Sequence, residues 1–353
     1  MKILLISPLY PPYIGGLEEH VSKISECLAS RHDVNVFTTD PSGKLKKIET
    51  VNGVNIRRFS AFAPNNAYFI SFEMLKAIKD TTFDIIHSHN YHALTSGLAK
   101  FSHFKKLIVT PHYHGHGSTR FRDLLLKCYK PFGRALLKEA NYIVCISNHE
   151  KNLIIQDFNI DDKRIKIIPN GINLEEFGRQ VKKNKKEQDE NLTILYVSRL
   201  EKYKGIQYAI QALAQLDKKI HLEIVGSGVY EKELRKLSNK LNVQNRITFI
   251  HSLQRHDLIN KYSNADLVLL LSQYEGFGLV IEEALASSTP CIVTNTSALT
   301  EWIDNKNCFG IDYPVNIESL VRLMKKVIGI KVETPDLLDW SDITQQLESL
   351  YLH

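Results

Sequence analysis

Residues 267–283 read LVLLLSQYEGFGLVIEE. The apolar run Leu267–Leu271 has the length of a buried strand, and the glycine-hinged acidic loop after it opens an apolar helix. A strand, a loop and a helix in this order form the repeating unit of a parallel α/β sheet, whose ligands bind beyond the carboxyl ends of the strands. Because the first N–H groups of a helix attract anions and glycines let the backbone come close, this loop favours a diphosphate ligand.

Two carboxylates bracket this loop, since Glu275 stands at its start and Glu283 lies on the helix. Eight residues of continuous helix span roughly 12 Å, so the two side chains are not a close pair unless the loop folds Glu275 back. We predict that they contact different parts of one long ligand. The alternative is a solvated helix entrance, where the helix dipole favours acidic side chains.

The same alternation of strands and helices extends through the chain in two blocks. The first block has predicted strands at Lys2–Ser7, Val34–Thr38, Asp84–His87, Leu107–Thr110, Tyr142–Ile146 and Ile165–Ile168. The second has predicted strands at Leu192–Ser198, Ile220–Val225, Arg246–Ile250, Leu267–Leu271 and Pro290–Val293, and helices near Gly205–Leu216, Tyr230–Leu241 and Gly278–Ala286. This pattern predicts an α/β protein with two Rossmann-like, doubly wound parallel sheets that face each other across a cleft.

The lysine-rich segment 179–191 separates the two blocks. We interpret it as a solvated linker, and a binding tail is the alternative. The predicted domains are therefore residues 1–178 and residues 192–330. We expect the tail, residues 331–353, to pack back on the N-terminal domain.

Composition limits the class of protein. With 353 residues, 43% hydrophobic and 24% charged, the chain is long enough for two globular domains. Its five cysteines are scattered and form no C-x-x-C pair, which disfavours a disulfide framework or a zinc site and fits a reducing cytoplasm. No apolar run has the length of a signal-peptide core or of a membrane span. The formal net charge of +6 mildly favours an anionic partner, whether a nucleotide, an acidic lipid surface or a nucleic acid.

Glycines mark two further candidate phosphate loops. Gly15 and Gly16 follow the first strand and lead into a helix, but the stretch lacks a G-x-G-x-x-G motif and a Walker lysine. Taken alone, a turn that requires a positive φ explains these two glycines better. Gly226-Ser227-Gly228 follows the strand Ile220–Val225 and is a weak indication of another loop that contacts a nucleotide.

A pair of cations, Arg199 and Lys204, follows the strand Leu192–Ser198. Arginine offers a bidentate fork and lysine a mobile point charge, so together they suit a diphosphate and the charge that develops on a departing phosphate. Two surface cations on a loop are the alternative.

Six histidines crowd two loops of the first block: His87, His89, His92, His112, His114 and His116. Alternate residues of an extended loop can converge on a metal, but no carboxylate or cysteine joins the second group at a recognised spacing, and we predict no metal site. The preferred role is a neutral histidine that hydrogen-bonds a sugar hydroxyl. A satisfied structural histidine is the alternative for all but one or two of them.

These motifs together resemble the retaining glycosyltransferases of family 4, which have the two-Rossmann GT-B fold. The resemblance covers nearly the whole chain and rests on motifs in the expected order: Gly15-Gly16, a histidine after Leu107–Thr110, Ile168-Pro169-Asn170-Gly171-Ile172, Ser198-Arg199-Leu200 with Lys204-Gly205, Gly226-Ser227-Gly228, and Glu275 with Glu283. The combination is specific, although the single motifs are not.

The resemblance implies roles for the residues that match these motifs. Glu275 and the backbone of residues 277–280 would hold the sugar and phosphates of a nucleotide-diphosphate sugar, Glu283 would bind the ribose, and Arg199 and Lys204 would bind the diphosphate. The implied catalytic residues are His112, Glu275, Arg199 and Lys204. The implied donor-binding residues are Gly15, Gly16, Gly226, Phe277, Gly278, Leu279, Val280 and Glu283.

On the N-terminal side, the resemblance implies that the Gly16 backbone approaches the phosphate from the other domain and that His112 contacts the sugar. Because the histidines alternate, the alignment is ambiguous by two residues, and His114 is the second candidate. His89 and His114 are acceptor-side candidates. The chain departs from the family pattern at two places, where Ser287-Ser288 and Ser297-Ala298 stand in positions in which glycines are common. The sequence therefore predicts the family more firmly than the identity of the donor.

The mechanism implied is a same-face displacement without a metal, in which the nucleotide sugar is the co-substrate and no other cofactor is needed. The acceptor should meet the first domain, where cations alternate with apolar residues over 120–138. This region favours a lipid-linked or other glycan acceptor and peripheral attachment to the anionic cytoplasmic face of a membrane. The alternative is an ordinary amphipathic core helix, interrupted by Pro131.

Two rival classes differ in chemistry. A nucleotide-sugar epimerase or a phosphorylase would keep the fold, although no lysine is marked out as the Schiff-base site of a phosphorylase. A non-catalytic nucleotide-binding or nucleic-acid-binding protein is disfavoured, because the chain shows no aromatic and basic stacking motif. We therefore predict a hexose-transferring glycosyltransferase with no nucleic-acid partner.

Overall fold

The chain forms two compact units. The structure, a computed structural model, describes residues 1–64, 68–115, 120–178, 191–330, 332–333 and 335–352, with the backbone alone for residues 120–124. Unit 1 consists of Met1–Gly171 and Leu338–His353, and unit 2 of Ile172–Leu337. The predicted linker lies outside the described residues, except for Asn191.

Strands and helices alternate as the sequence predicts. The strands are β1 Lys2–Ile6, β2 Asp33–Thr39, β3 Ile48–Val51, β4 Val54–Phe59, β5 Thr82–His89, β6 His103–Thr110, β7 Tyr142–Cys145, β8 Ile165–Ile167, β9 Leu192–Val197, β10 Ile220–Val225, β11 Ile247–Ile250, β12 Leu267–Leu270, β13 Cys291–Thr294 and β14 Cys308–Ile311. The α-helices are α1 Gly16–Ala29, α2 Phe72–Lys79, α3 Arg120–Glu139, α4 Asn148–Phe158, α5 Leu174–Gly178, α6 Ile206–Leu213, α7 Glu231–Lys240, α8 Arg255–Asn264, α9 Leu279–Ala286, α10 Ile317–Val327 and α11 Trp340–Leu352.

In the described part of unit 1, eight strands form one sheet in the order β3-β4-β2-β1-β5-β6-β7-β8. The pairings are parallel, except that β3 and β4 form an antiparallel hairpin. Side chains of a strand alternate between the faces of the sheet, so Leu4 and Ile6 pack on one side and Ile3 and Leu5 on the other. The central strands are therefore buried on both faces, as parallel sheets between helices are.

Helix α11 belongs to unit 1, although it lies at the other end of the sequence. Its side chains Ile343, Leu347 and Tyr351 are buried in the same apolar cluster as Ile3 and Leu5. The boundary between the units lies at Gly171 rather than at residue 178, because Ile172 and Phe177 pack against Ile259 of unit 2.

Unit 2 contains, among its described residues, a six-stranded parallel sheet in the order β11-β10-β9-β12-β13-β14. The chain moves outward in one direction from β9 to β11 and in the other direction from β12 to β14. The order of strands thus reverses between β9 and β12. At such a point the connections leave on opposite sides and open a crevice beyond the carboxyl ends of the two strands, where ligands bind in this fold class.

Three local features differ from the sequence analysis. The hairpin β3–β4 and the strand β14 were not predicted. The alternative interpretation of residues 120–138 placed a helix interruption at Pro131, but α3 continues through this exposed residue. Among the residues that the structure describes, none of the helices combines the length and the apolar character that crossing a bilayer requires.

Candidate active site

The loops after β9 and β12 bring a lysine against a carboxylate. Lys204 Nζ lies 2.6 Å from Glu275 Oε1, and the hydroxyl of Ser272 donates a hydrogen bond of 2.6 Å to the same oxygen. The two charged side chains are only 12% and 16% exposed. The sequence thus placed both residues at the correct edge of the sheet, and the fold makes them a direct ion pair.

Backbone contacts hold the two loops together beneath this pair. Gly205 has a left-handed φ of 79°, and a Cβ on it would lie 2.0 Å from the carbonyl oxygen of Leu271. The buried Tyr196 hydroxyl accepts a hydrogen bond of 2.7 Å from the Leu271 N–H and donates one to the carbonyl of Lys204. The position of Lys204 is therefore fixed relative to the end of β12.

The Lys204 amine is protonated and positively charged. Burial, the largest single effect, lowers the pKa of this amine, but the charge of Glu275, the neighbouring Tyr203 and the hydrogen bond to Glu275 together outweigh burial, and the pKa is raised. Arg199 is much more open, with 72% of its side chain exposed, and its guanidinium donates a hydrogen bond of 3.0 Å to the Tyr203 hydroxyl. The Tyr203 ring is stacked on that of Tyr274 at 4.5 Å. The site thus offers one buried and one exposed cation.

The loop that follows Glu275 leads into helix α9. Gly278 caps the helix with a φ of 104°, a conformation that favours glycine, and a Cβ there would press on Leu299 and Trp302. The Trp302 indole N–H donates a hydrogen bond of 2.7 Å to the Phe277 carbonyl. Since the first N–H groups of a helix have no partner within it, those of Leu279 and Val280 suit an anion.

Ser297 stands at one of the two departures from the family pattern. Its φ of 48° is left-handed, and Ser288, at the other departure, has a φ of 57°. Both conformations favour glycine, which explains why glycines are common there. In this chain the Ser297 hydroxyl accepts a hydrogen bond of 2.8 Å from the Glu275 N–H, so the serine helps to hold the acidic loop.

Glu283 lies farther along α9, and partners from α8 hold it. Arg255 donates a hydrogen bond to Glu283 Oε1, and the Tyr262 hydroxyl donates one of 2.7 Å to Oε2. The carboxylate is nearly buried, with 8% of the residue exposed. The sequence analysis identified Glu283 but missed Arg255 and Tyr262, because no local pattern connects α8 with α9.

Gly226 shapes the loop that carries Arg199. It has a φ of 133°, and a Cβ would lie only 1.9 Å from the carbonyl oxygen of Ser198. The neighbouring Leu200 N–H donates a hydrogen bond of 2.9 Å to the Ser227 carbonyl. The glycine therefore allows the loops after β9 and β10 to touch.

Three histidines meet in unit 1. One ring nitrogen each of His20, His89 and His112 lies within 4.8 Å of the others, the one such group of metal-ligand type in the described residues. Burial lowers the pKa of His20 to about 4 and the pKa values of His89 and His112 well below the usual range, so the three imidazoles are neutral. His20 on α1 was missed, because its place in a helical pattern gave no functional signal.

Several nitrogens of this histidine group lack a hydrogen-bond partner among the described residues: His20 Nε2, both ring nitrogens of His89, and His112 Nε2. Buried polar atoms of this kind are rare and call for a ligand or water. His112 also has a left-handed φ of 48°, a strained conformation that tends to occur at functional sites. Neutral imidazoles can bind a metal or exchange hydrogen bonds with hydroxyl groups.

The other candidate histidines differ in their surroundings. His87 is satisfied by the hydroxyls of Thr110 and Tyr351, at 2.8 and 2.7 Å, which is a structural arrangement. The His114 ring is stacked on that of His92 at 5.8 Å. His116 lies outside the described residues.

Gly15 and Gly16 begin helix α1 in unit 1. The interpretation that a positive φ requires glycine here is wrong, because Gly15 has an extended φ of 173°. Its carbonyl accepts the hydrogen bond of the Glu19 N–H at 3.0 Å and so begins the helix. The structure thus brings Lys204 and Glu275 together in unit 2, with Arg199 on the neighbouring turn, and it groups His112 with His89 in unit 1.

The two-unit architecture is that of known GT-B structures. The Anabaena protein HepE, solved in complex with UDP-glucose, aligns with a TM-score of 0.78 and 19% identity, and the alignment covers 100% of both chains. The fold is therefore GT-B, the two-Rossmann architecture of many glycosyltransferases.

Sequence comparisons identify the family. The model of "Glycosyltransferase Family 4" matches residues 14–176, and that of "Glycosyl transferases group 1" matches residues 178–338. A glycosyltransferase of Methanocaldococcus jannaschii is 31% identical over 306 residues, which cover 79% of this chain and 76% of the relative. The chain belongs to the family-4 glycosyltransferases.

Relatives with named activities are synthases of different products. Glycogen synthase of Mycobacterium tuberculosis is 27% identical, with 93% of this chain and 86% of the relative covered. Alpha-monoglucosyldiacylglycerol synthase of Streptococcus pneumoniae is also 27% identical, with 96% and 80% covered. Membership of the family therefore does not fix the acceptor.

Proposed function

We propose that this enzyme is a retaining hexosyltransferase that moves a sugar from a nucleotide-diphosphate sugar to an acceptor hydroxyl, without a metal ion. The observation that carries the proposal is the pair of Lys204 and Glu275 at the reversal point of the unit 2 sheet, beside the start of α9. A cation and a helix N-terminus suit a diphosphate, whereas a carboxylate suits sugar hydroxyls. A nucleotide sugar contains both groups.

On the donor side, Lys204, Arg199 and the N–H groups from Phe277 to Val280 neutralise the diphosphate. Lys204 is pre-positioned by Glu275 and Tyr196, whereas the exposed Arg199 must exchange its contacts with Tyr203 and Glu201 for the ligand. Charge that develops on the leaving diphosphate therefore meets fixed dipoles and cations, which is the largest contribution that a site of this kind makes. Glu283, held by Arg255 and Tyr262, binds the ribose, and Gly226 keeps the backbone close.

On the sugar side, Glu275 accepts hydrogen bonds from hydroxyls of the donor sugar, and His112 contacts the same sugar. Because His112 is neutral, it can donate from one ring nitrogen and accept at the other. The unsatisfied nitrogens of the histidine group support this role. The backbone at Gly15 and Gly16 approaches the phosphate, and His89 and His114 face the acceptor.

The proposed transfer is a displacement on one face of the sugar. The bond between the anomeric carbon and the diphosphate oxygen breaks while the sugar gains positive charge, and the acceptor oxygen then bonds to that carbon from the same side. The acceptor proton passes to the departing diphosphate oxygen. No side chain serves as a nucleophile, so the protein positions the reactants and stabilises charge.

Metal independence follows from the same charges, since two cations and a helix N-terminus replace a divalent ion. The histidine group of unit 1 is the one place among the described residues where a transition metal would find ligands. Exhaustive dialysis against EDTA should leave turnover unchanged. If zinc then restored a lost activity in the wild type but not in His89→Gln, the metal-free mechanism would be wrong.

The acceptor is proposed to be a glycan or a lipid-linked glycan that unit 1 binds near an anionic membrane surface. Support comes from α3, whose described part carries the exposed cations Lys127 and Arg134 and the exposed Phe132. The streptococcal relative shows by its name that a family member can glycosylate a lipid.

The test of the proposed reaction is a donor panel. Titration with UDP, GDP and ADP identifies the base, and labelled sugar donors of that base are then incubated with the enzyme. We expect slow hydrolysis to a sugar whose first-formed anomer has the configuration of the donor, as seen by proton NMR. An isomerised nucleotide sugar would instead show an epimerase, and binding without any turnover would show a non-catalytic protein.

A further inference from the structure

We propose that an apolar cavity in unit 1 takes the hydrocarbon chain of the acceptor, which makes the acceptor a lipid. This inference rests on the proposed glycosyl transfer and specifies its second substrate. The cavity has a volume of about 640 Å³, in the range of about 300–1,000 Å³ that is typical of small-molecule pockets.

Three parts of the unit 1 chain form the cavity. Pro64, Tyr68 and Ile70 follow the carboxyl end of β4, residues 92–101 follow that of β5, and the third wall is the face of α3 between Leu125 and Leu136. In a parallel sheet the carboxyl ends of the strands are the functional edge. The cavity begins near this edge, at Tyr68 and His92, and extends away from it toward Lys100 and Phe101, which come just before the start of β6.

Apolar side chains form most of the cavity wall. The apolar side chains include Ile70, Leu94, Leu98, Leu126, Phe132 and Leu136. A sugar or a nucleotide would lose its hydrogen bonds to water in such surroundings, and few side chains here would replace them. A hydrocarbon chain has no hydrogen bonds to lose, and each methylene that leaves water makes the binding free energy more favourable.

His92 connects the cavity with the histidine group. Its side chain lines the cavity, and its ring is stacked on that of His114, two residues beyond His112. His92 Nε2 is buried without a hydrogen-bond partner among the described residues. A head group near His92 would thus lie beside the proposed sugar site, while its chain extends along Leu94 and Leu98.

The other side of the cavity presents exposed aromatic rings and cations. Phe101 is 54% exposed and Phe132 is 73% exposed, although both line the cavity. The Lys79 amine lies 5.5 Å from the Phe101 ring, and Lys100 lines the cavity while paired with Glu139 at 3.3 Å. Exposed aromatic groups beside lysines suit a chain that arrives from an anionic lipid surface.

Binding can be measured with soluble alkyl phosphates below their micellar concentrations. We expect calorimetry to show affinity that rises about three- to fourfold for each added methylene between butyl and octyl phosphate. Inorganic phosphate and butyl phosphate should bind weakly or not at all. Equal affinity along the series would overturn the proposal.

Cys128 supplies a second measurement at the cavity itself. It lines the cavity and is exposed, whereas Cys27 is half-buried and the other three cysteines are buried. Octyl phosphate should slow alkylation of Cys128 by iodoacetamide, while butyl phosphate should not. Binding that leaves the rate at Cys128 unchanged would place the chain elsewhere and overturn the assignment.

Gly97 allows the cavity to be filled by design. A Cβ on this residue would meet no closer atom than the Tyr129 hydroxyl at 4.0 Å, so a Gly97→Leu side chain has room in the cavity. We expect this variant to bind octyl phosphate at least tenfold more weakly. If Gly97→Leu does not fold, Phe132→Ser tests the same cavity and should also weaken the binding of octyl phosphate. Phe72→Ser is its control, because Phe72 is 81% exposed but does not line the cavity. Equal binding by these two serine variants would overturn the proposal.

Measurements of donor binding and donor hydrolysis distinguish a failure of this inference from a failure of the proposed function. Gly97→Leu should keep wild-type nucleotide binding and donor hydrolysis but lose transfer to an amphiphilic acceptor such as octyl glucoside. Wild-type transfer to short soluble sugars, unchanged in Gly97→Leu, would overturn the lipid acceptor and leave the glycosyltransferase intact. Absence of donor binding in the wild type would overturn both. Closure of the cavity by a second copy of the chain, seen as dimers that octyl phosphate does not dissociate, would also contradict the proposal.

Discussion

Lys204 and Glu275 are 71 residues apart in the sequence, yet Lys204 Nζ lies 2.6 Å from Glu275 Oε1. Their strands are neighbours at the reversal point of the unit 2 sheet, so the topology alone brings the two loops together. Neither charge is well solvated, and removing one would leave the other partly buried and unpaired, which is costly. The pair thus holds the site in one arrangement before a ligand arrives.

Lys204→Met should lower kcat/KM about 10²–10³-fold, because a fixed cation at the leaving group is lost. Lys202→Met is the matched control, since Lys202 is an exposed lysine of the same short turn. We expect the control to stay within about twofold of the wild type. Steady-state kinetics with the identified donor test this, and equal losses in both variants would argue against the assigned role.

Tyr196→Phe should destabilise unit 2 and impair turnover together. The hydroxyl joins the Leu271 N–H to the Lys204 carbonyl, and its loss leaves a buried donor unsatisfied at a cost of about 1–3 kcal/mol. Tyr230→Phe removes a hydroxyl from a partly buried tyrosine of the same unit and should change little. Urea midpoints and kcat/KM are the measurements. A stability loss with unchanged kinetics would show that the hydroxyl does not position Lys204.

Gly226→Ala should distort the loop that carries Arg199, because its Cβ would meet the Ser198 carbonyl oxygen at 1.9 Å. Gly329→Ala is the control, since Gly329 also has a positive φ, 84°, but an added Cβ would meet nothing within 4 Å. In both variants the alanine must adopt a positive φ, which lowers the free energy of unfolding by roughly 1–2 kcal/mol. Only Gly226→Ala should also weaken nucleotide binding, as calorimetry would show.

Stability should fall as the pH drops below about 6.5, the ordinary pKa of an unfolded histidine. Burial lowers the pKa values of five histidines of unit 1, to about 4 for His20 and about 3 for His87 and His92, and further for His89 and His112. Between these values and 6.5 the unfolded chain binds protons that the folded chain does not. Each histidine therefore removes about 1.4 kcal/mol of stability per pH unit.

One buried acid acts in the opposite direction. Burial raises the pKa of Glu150 to about 7, so the folded chain binds a proton there between pH 7 and the unfolded value, and stability rises as the pH falls through that window. Five histidines outweigh it. Denaturation at pH 7.5 and pH 5.5 tests the sign. His89→Gln should reduce the slope by about one proton.

Local pattern explains what the sequence predicted. Runs such as Leu267–Leu271 are buried on both faces of a sheet, so they stand out as short continuous apolar stretches, and the loops after them hold the candidate residues. The hairpin β3–β4 lies at the exposed edge, where the apolar signal is weak. Its turn was nevertheless marked by Asn52-Gly53, whose φ values of 51° and 81° are those that the Asn-Gly dipeptide favours in a two-residue turn.

Partners across the fold could not be predicted in this way. Tyr196, Arg255 and Tyr262 act through contacts between separate strands and helices, and nothing in their neighbouring residues shows it. His20 is similar, because a histidine on the buried side of an amphipathic helix looks like an ordinary core residue. Three-dimensional neighbours, rather than spacing, define these roles.

The placement of α11 affects how the protein is made. Its residues complete the apolar cluster around Ile3 and Leu5, and Lys106 Nζ donates hydrogen bonds of 3.0 Å to the carbonyls of Leu350 and Tyr351. During translation these residues leave the ribosome only after all of unit 2 has been synthesised. Residues 1–171 must therefore wait for α11 with one side of their sheet partly uncovered, and chaperones can bind that surface until the helix arrives.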